Sequence, residues 1–401
     1  MATVSSDRRI PGLDTARSLA IALAMLAHCF IHFGVWPLLT DEVLSAIRLL
    51  TRSATPTFII LFGMMLEIVY LKMIRRGDRK ACWTRLITRA IQCYLLYLCV
   101  VAAGIVGGHL SPTEGAKAAL FLSQAYFANI LKFYSLGLVA GILLVELRAR
   151  FGLGAVAAAL LVIWLSYPLI QALPAFPHSV RHLASFLIGA GAETGPSVLQ
   201  GMSLAALGMF LGNAAGGLWS DETQQRRRSR RLLGAINFLV AAAVAALLLS
   251  LGLGPTLDGF IDFSFRAANH PGYYILGSAV AMTLIACCTL AAAAMPRHAL
   301  ARVNVFGTSS LFAYAFGNVV LNLLPMHSGS LGLGLAYSAA FLLGLYGATA
   351  YFQLTLQAQA PGEPHRPMAA RLGRLHNSLG GWTMRFAALF IDRLLPKSPS
   401  R

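Results

Sequence analysis

Apolar stretches long enough to cross a lipid bilayer recur along this chain from Arg17 to Gln357, separated by short polar connections. A spanning helix needs about 20 mostly apolar residues, and helices satisfy their own backbone hydrogen bonds inside lipid. The pattern predicts an all-α polytopic membrane protein of about ten transmembrane helices, with spans at 17–37, 53–73, 84–108, 128–147, 153–172, 197–214, 231–252, 272–294, 303–325 and 331–355.

Two further apolar stretches, 117–127 and 182–194, are too short for a span and are predicted to be re-entrant or interfacial. The composition agrees with a membrane protein, since 57% of the residues are hydrophobic and 12% are charged. A soluble domain carries about 25% charged residues. Residues 1–16 are polar and basic, so we expect no cleavable signal.

Basic residues collect in alternate connections, and this pattern predicts the orientation. They follow the second, fourth, sixth and eighth spans, whereas the opposite connections carry acidic residues and few basic ones, namely Asp41, Glu42, Glu114, Asp258 and Asp262. The positive-inside rule then places both termini in the cytoplasm, as an even number of spans requires. The net charge of +17 is explained by this asymmetry, so we expect membrane lipids and not nucleic acid as partners.

The chain divides into a transmembrane domain, 1–357, and a basic cytoplasmic tail, 358–401. The tail begins with a Pro-rich linker over 358–370. Residues 371–395 alternate bulky apolar and basic side chains, which favours an amphipathic helix on the anionic leaflet. A basic tail without a fixed fold is the alternative.

Arg17 and His28 lie eleven residues apart in the first span. Eleven helical residues make about three turns, so both side chains share one face, about 16 Å apart along the axis. Ionisable groups at membrane depth are candidates for function. His28 is a candidate general base or nucleophile. The alternatives are a buried histidine bonded to a helix carbonyl and an arginine that extends to the interface.

Arg85 and Arg89 begin the third span at i and i+4, so their guanidinium groups share a face that suits phosphate. Ordinary flanking charge is the alternative reading. Asp14 either pairs with Arg17 or caps the first helix. Glu67 either pairs with a basic neighbour or sits at the interface. The six cysteines are predicted to be unpaired, and no residue spacing indicates a metal site.

These residues carry a resemblance to the membrane acyltransferase 3 family and its relatives, the periplasmic-glucan succinyltransferases and heparan N-acetyltransferases. The first-span stretch GLDTAR followed by His28 is similar to the family motif, in which an arginine or lysine is separated from a histidine by ten residues. Arg85 and Arg89 fall where the family carries arginines, although the spacing here is Arg-x-x-x-Arg. PTFIILFG resembles its second-span FxxSG with Phe62 in place of serine, and FGTSSLFAY resembles its FGxxSLxxY stretch.

The resemblance implies a ten-helix enzyme of the bacterial inner membrane that takes an acetyl or succinyl group from cytoplasmic acyl-CoA. The acceptor would be a hydroxyl or amine of an extracytoplasmic glycan or lipid-linked saccharide. Arg17, Arg85 and Arg89 would bind the donor, and His28 would be the base or the nucleophile. The candidates to steady the thioester oxygen are Asn304, Ser309, Ser310, Tyr314 and Asn318, with Asp14 and Glu67 in support. A transporter or flippase of a glycan or lipid intermediate is the alternative function.

Overall fold

The computed structural model describes residues 12–218, 222–324, 328–357, 378 and 380–391. Every regular element in these ranges is helical, which confirms the all-α class. Within these ranges, a single π-helical turn, Leu66–Tyr70, joins the helix Ala54–Met65 to the helix Leu71–Arg75. The helices are α1 Leu13–His32, α2 Asp41–Arg52, α3 Ala54–Met65, α4 Leu71–Arg75, α5 Arg79–Val106, α6 Pro112–Ala119, α7 Asn129–Leu165, α8 Tyr167–Gln171, α9 His178–Ile188, α10 Val198–Leu218, α11 Thr223–Leu251, α12 Leu253–Ile261, α13 Ser264–Ala267, α14 Pro271–Ala294, α15 Arg297–Val303, α16 Val305–Thr308, α17 Ser310–Leu323 and α18 Leu331–Gln357.

Eight helices in the described ranges are long and apolar enough to cross a membrane. One of them, Asn129–Gln171, covers the fourth and fifth predicted spans except for the first and last residue, 128 and 172. Its 43 residues would measure about 65 Å as a straight helix, twice the hydrocarbon thickness of a bilayer. The run bends at Gly152, whose φ of 82° belongs to the left-handed region that favours glycine. The bend divides the run into two lengths that each match one crossing.

The ninth predicted span, 303–325, is not one helix. It is broken at Asn304 and again at Ser309, which leaves α16 as a single turn between α15 and α17. Thr15 Oγ1 donates to Asn304 Oδ1 across 2.8 Å, and the Gly307 N–H donates to Ser18 Oγ across 2.7 Å. Ser18 thus supplies the Gly307 N–H with the partner that an unbroken helix would have supplied, and the bond from Thr15 holds the first break against α1. A break is tolerable at membrane depth when neighbouring helices supply such partners.

Glycine lets helices approach closely at two crossings, one of them at the start of α1. A Cβ atom on Gly307 would collide with the carbonyl of Asp14, so α16 packs directly on the start of α1. A Cβ atom on Gly63 would collide with the carbonyl of Ala205, which brings α3 against α10. Small residues at helix crossings are the usual means of tight packing inside a bilayer. The motif glycines Gly63 and Gly307 therefore have a packing role.

Glu67 forms a buried ion pair. Its carboxylate accepts hydrogen bonds from Nε and Nη2 of Arg148 across 3.0 and 2.7 Å, and from Nδ2 of Asn213 across 2.9 Å. The π-helical turn that contains Glu67 turns this side chain towards α7 and α10. Glu67 therefore pairs with a basic neighbour, which was one of the two alternatives for this residue.

The short apolar stretches do not form spans. In the first of them α6 ends at Ala119, and in the second α9 ends at Ile188. The predicted linker 358–370 lies outside the described residues. Part of the predicted tail helix is seen over 380–391, where Gln92 donates to Thr383 Oγ1 across 3.5 Å. The orientation of both termini and the contact of this helix with lipid stay predictions.

Candidate functional site

His28 is oriented by a side chain from the other end of the chain. Its Nδ1 lies 2.7 Å from Oδ1 of Asn318 in α17. An amide oxygen only accepts hydrogen bonds, so this contact places the imidazole proton on Nδ1 and leaves a lone pair on Nε2. Asn318 is fully buried, and its Nδ2 has no hydrogen-bond partner among the described residues. The hydrogen-bond partner of His28 Nδ1 is therefore the amide side chain of Asn318 and not a helix carbonyl, which was the alternative.

Two aromatic rings enclose the imidazole. The ring of Phe127 lies 4.7 Å from it, and the ring of Tyr314 lies 5.9 Å away, edge to face. The Tyr314 hydroxyl donates to the carbonyl of Phe127 across 3.1 Å, so it anchors the segment that covers His28. Ser310 begins α17, two helical turns before Asn318, and does not line the site. Of the residues predicted to steady an oxyanion, Asn318 and Tyr314 reach His28, and the Tyr314 hydroxyl already donates its hydrogen bond to Phe127.

A cavity of about 420 Å³ borders His28. Its walls come from α1, from the junction of α2 and α3, from the segment between α6 and α7, from the segment between α12 and α14, and from α17. The cavity thus lies at the end of the bundle where those connections meet, beyond His28 as seen from Arg17. Its volume is in the range of cavities that bind small ligands.

Two phenylalanines in the cavity wall have left-handed backbone. Phe127 has a φ of 59° and Phe263 a φ of 76°. A residue other than glycine costs about 1–3 kcal/mol in this region, and such strain collects at functional sites. The ring of Phe127 packs on His28, and the ring of Phe263 packs under two arginines of the same wall.

Those two arginines, Arg52 and Arg266, were not singled out from the sequence. Arg52 is 8% exposed, and both line the cavity with His28. Both belong to connections on the side where the charge pattern predicts few basic residues. In the sequence, Arg52 and Arg266 could have been recognised as basic residues in connections that otherwise carry few of them.

The predicted donor-binding arginines lie towards the opposite end of α1. Arg17 Nη1 donates to Asp14 Oδ1 across 2.9 Å. Asp14 therefore pairs with Arg17, and the N-cap of α1 is Gly12. Arg85 Nη1 contacts Met73 Sδ at 3.7 Å, and Arg89 Nη1 donates to Gln92 Oε1 across 3.2 Å.

Arg17, Arg85 and Arg89 lie in the same region of the molecule, near Tyr70. The approach does not depend on direct packing of α1 against α5, because α1 packs chiefly on α3, α14, α16, α17 and α18. The three arginines make the Arg17 end of α1 basic.

The arrangement defines a membrane-embedded helical bundle with a basic cluster at one end of a helix and a histidine-bordered cavity three turns further on. Residues 9–110 match the family described as OpgC protein, of the periplasmic-glucan succinyltransferase kind. The match contains Arg17, His28, Arg85 and Arg89 and suggests an acyltransferase role. It agrees with the succinyltransferase relatives of the resemblance, whereas the wider acyltransferase 3 assignment stays a prediction.

No curated protein matches the chain. No solved structure matches it either.

Proposed function

We propose that this protein transfers an acyl group from acyl-CoA to a hydroxyl of a glycan, with His28 at the reacting centre. The observation that carries the proposal is His28 itself, held through Nδ1 by Asn318 at the edge of a cavity of about 420 Å³. The family match over residues 9–110 supports the same reaction class.

Acyl-CoA would enter at the Arg17 end. The guanidinium groups of Arg17, Arg85 and Arg89 would bind its phosphates, because a planar guanidinium donates two parallel hydrogen bonds to an oxyanion. The pantetheine arm would then follow α1 towards His28, a rise of about 16 Å for eleven residues. If the basic connections are cytoplasmic, the donor comes from the cytoplasm and the cavity faces the acceptor.

Nε2 of His28 has the lone pair needed for general base catalysis. In the proposed step it takes the proton of the acceptor hydroxyl while that oxygen attacks the thioester carbonyl. The carbon–sulfur bond breaks, the acyl group becomes an ester of the acceptor, and the CoA thiolate receives the proton from the imidazolium. In the covalent variant, Nε2 attacks the thioester carbonyl, the carbon–sulfur bond breaks and the CoA thiolate leaves, which gives an acyl-histidine. The acceptor hydroxyl then attacks this acyl group, the carbon–nitrogen bond breaks, and the hydroxyl proton passes to the thiolate. In both, Asn318 Oδ1 keeps the ring in place and stabilises the charged imidazole.

The test is transfer in proteoliposomes that contain the full chain, acyl-CoA on one side and a glucan oligosaccharide on the other. Acetyl-CoA and succinyl-CoA are supplied separately, and acylated oligosaccharide is measured by mass spectrometry. We expect product from the wild type, and none above background from His28→Ala, while thermal stabilisation by CoA persists in both. His298→Gln, an exposed histidine of α15, is the matched control. Normal transfer by His28→Ala contradicts the proposed role of His28.

A further inference from the structure

The two arginines of the cavity wall are held in place through one nitrogen each. Nε of Arg52 donates to the carbonyl of Ile261 across 3.1 Å, and Nε of Arg266 donates to the carbonyl of Gly195 across 2.8 Å. Within the described ranges, the terminal nitrogens of neither guanidinium form a hydrogen bond or an ion pair. Both arginines therefore retain their bidentate donor edge.

Phe263 supports both guanidinium groups. Cζ of Arg52 lies 3.1 Å from the centre of its ring, and Cζ of Arg266 lies 5.2 Å from it. Stacking on an aromatic face fixes the plane of a guanidinium and leaves its edges free for a planar anion. Phe263 keeps this position at the cost of a left-handed backbone. The strained residue thus brings two cations together.

In the part of the chain that the structure describes, no carboxylate forms an ion pair with either arginine. Arg52 and Arg266 repel one another, and Asp262 attracts Arg52 without forming an ion pair with it. Asp262 is exposed, and its Oδ1 accepts the backbone N–H of Ser264 across 2.8 Å. Like charges held together in a partly desolvated wall are unfavourable, and a bound anion removes that penalty.

Both arginines line the same cavity as His28. An anion held between them would therefore occupy the same cavity as the reacting atom. That position suits a charged substituent of a reacting substrate better than an ion bound elsewhere on the protein.

We infer that Arg52 and Arg266 form an oxyanion subsite of the His28 cavity, which binds a carboxylate or phosphate carried by one of the two substrates. The role of the anion in the reaction rests on the proposed acyl transfer. The binding of the anion does not depend on that proposal. The anion is either the terminal carboxylate of a dicarboxylic acyl group or an acidic substituent of the acceptor.

Binding is tested on the full chain in lipid nanodiscs by isothermal titration with succinate, inorganic phosphate and the uncharged analogue succinamide. We expect succinate or phosphate to bind and succinamide not to bind. Arg52→Gln and Arg266→Gln should each weaken binding about tenfold or more, since each removes a charged donor pair. Arg48→Gln is the matched control, because Arg48 lies one turn earlier in α2 and stacks on Trp36 outside the cavity.

Arg266 is half-buried in a short helix between α12 and α14, so Arg266→Gln keeps the test valid where Arg52→Gln does not fold. Arg52→Lys retains the charge without the planar fork and should also weaken binding. The inference is overturned if the wild type binds neither anion, or if Arg48→Gln weakens binding as much as Arg266→Gln.

The transfer assay then separates the two sources of the anion. If Arg266→Gln slows transfer from succinyl-CoA but not from acetyl-CoA, the subsite binds the acyl group. If it slows transfer only to a phosphorylated glucan and not to a neutral one, the subsite binds the acceptor. Equal loss in every combination overturns a role in recognition. Anion binding by a wild type that transfers no acyl group would contradict the proposed function and leave the subsite standing.

Discussion

Asn318 Oδ1 and His28 Nδ1 lie 2.7 Å apart although 290 positions separate them in the chain. The contact joins α17 to α1 and selects the imidazole tautomer whose Nε2 can take a proton. Because α17 begins only after the breaks at Asn304 and Ser309, the irregular start of the ninth span determines where Asn318 meets α1.

Asn318→Leu should reduce acyl transfer by about 10- to 100-fold, because His28 loses the acceptor that orients it. Asn318→Asp retains an oxygen next to Nδ1 and should retain more activity than Asn318→Leu, with a changed dependence of rate on pH. Initial rates at saturating and limiting donor concentrations give this comparison. The decrease should appear in kcat with little change in KM, and a change confined to KM would contradict a positioning role.

Arg85→Gln and Arg89→Gln should each weaken CoA binding by about tenfold, since each removes charged hydrogen bonds to phosphate. Affinity of the wild type should also fall as salt is raised, because the interaction is screened. Titration of CoA into the nanodisc protein measures both effects. Arg231→Gln, exposed in α11, is the control, and equal weakening by this variant would show a general charge effect.

Glu67→Gln should destabilise the protein, because it leaves the Arg148 guanidinium buried without its partner. Loss of one partner of a buried ion pair costs about 3–5 kcal/mol. The side chains of Arg148 and Glu67 are 8% and 5% exposed, so solvent cannot replace the missing charge. Thermal unfolding should show the loss, while activity per folded molecule stays near that of the wild type. A stable but inactive Glu67→Gln would instead indicate a role in the reaction.

The environment of His182, in α9, should make the stability of the protein depend on pH. Burial, and then the nearby Lys132 ammonium, lower the pKa of His182 from 6.5 to about 4. Nζ of Lys132 lies 2.9 Å from Nε2 of His182, a contact that needs an unprotonated ring nitrogen. The unfolded chain takes up this proton near pH 6.5 and the folded protein only near pH 4. The contribution to stability is therefore complete above pH 6.5 and is lost as the pH falls towards 4.

The measurement is the midpoint of thermal unfolding between pH 7.5 and pH 4.5. We expect His182→Gln to show a smaller decrease over this range than the wild type. His178→Gln, which changes an exposed histidine of the same helix, should keep the decrease of the wild type. Parallel curves for the wild type and His182→Gln would contradict the assignment.

Hydropathy alone was sufficient for the helical class and for most span positions. Helical hydrogen bonds are local, and bilayer thickness sets the length of a span, so both can be read from consecutive residues. The same local geometry placed Arg17 and His28 on one face of α1. The bend at Gly152 falls in the predicted connection between the fourth and fifth spans. The breaks at Asn304 and Ser309 were not predicted, because hydropathy assigns 303–325 to a single span.

The site at His28 depends on contacts between distant segments, which no local pattern encodes. Asn318, Phe127, Arg52 and Arg266 come from four separate parts of the chain, and only packing of the helices brings them around one cavity. Glu67 could be placed near the end of its span from sequence, but its partner Arg148 could not. The sequence by itself determined a helical membrane protein with a basic end and a histidine three turns away. The tertiary structure decided what surrounds that histidine, because side chains that meet across helices are set by packing and not by sequence spacing.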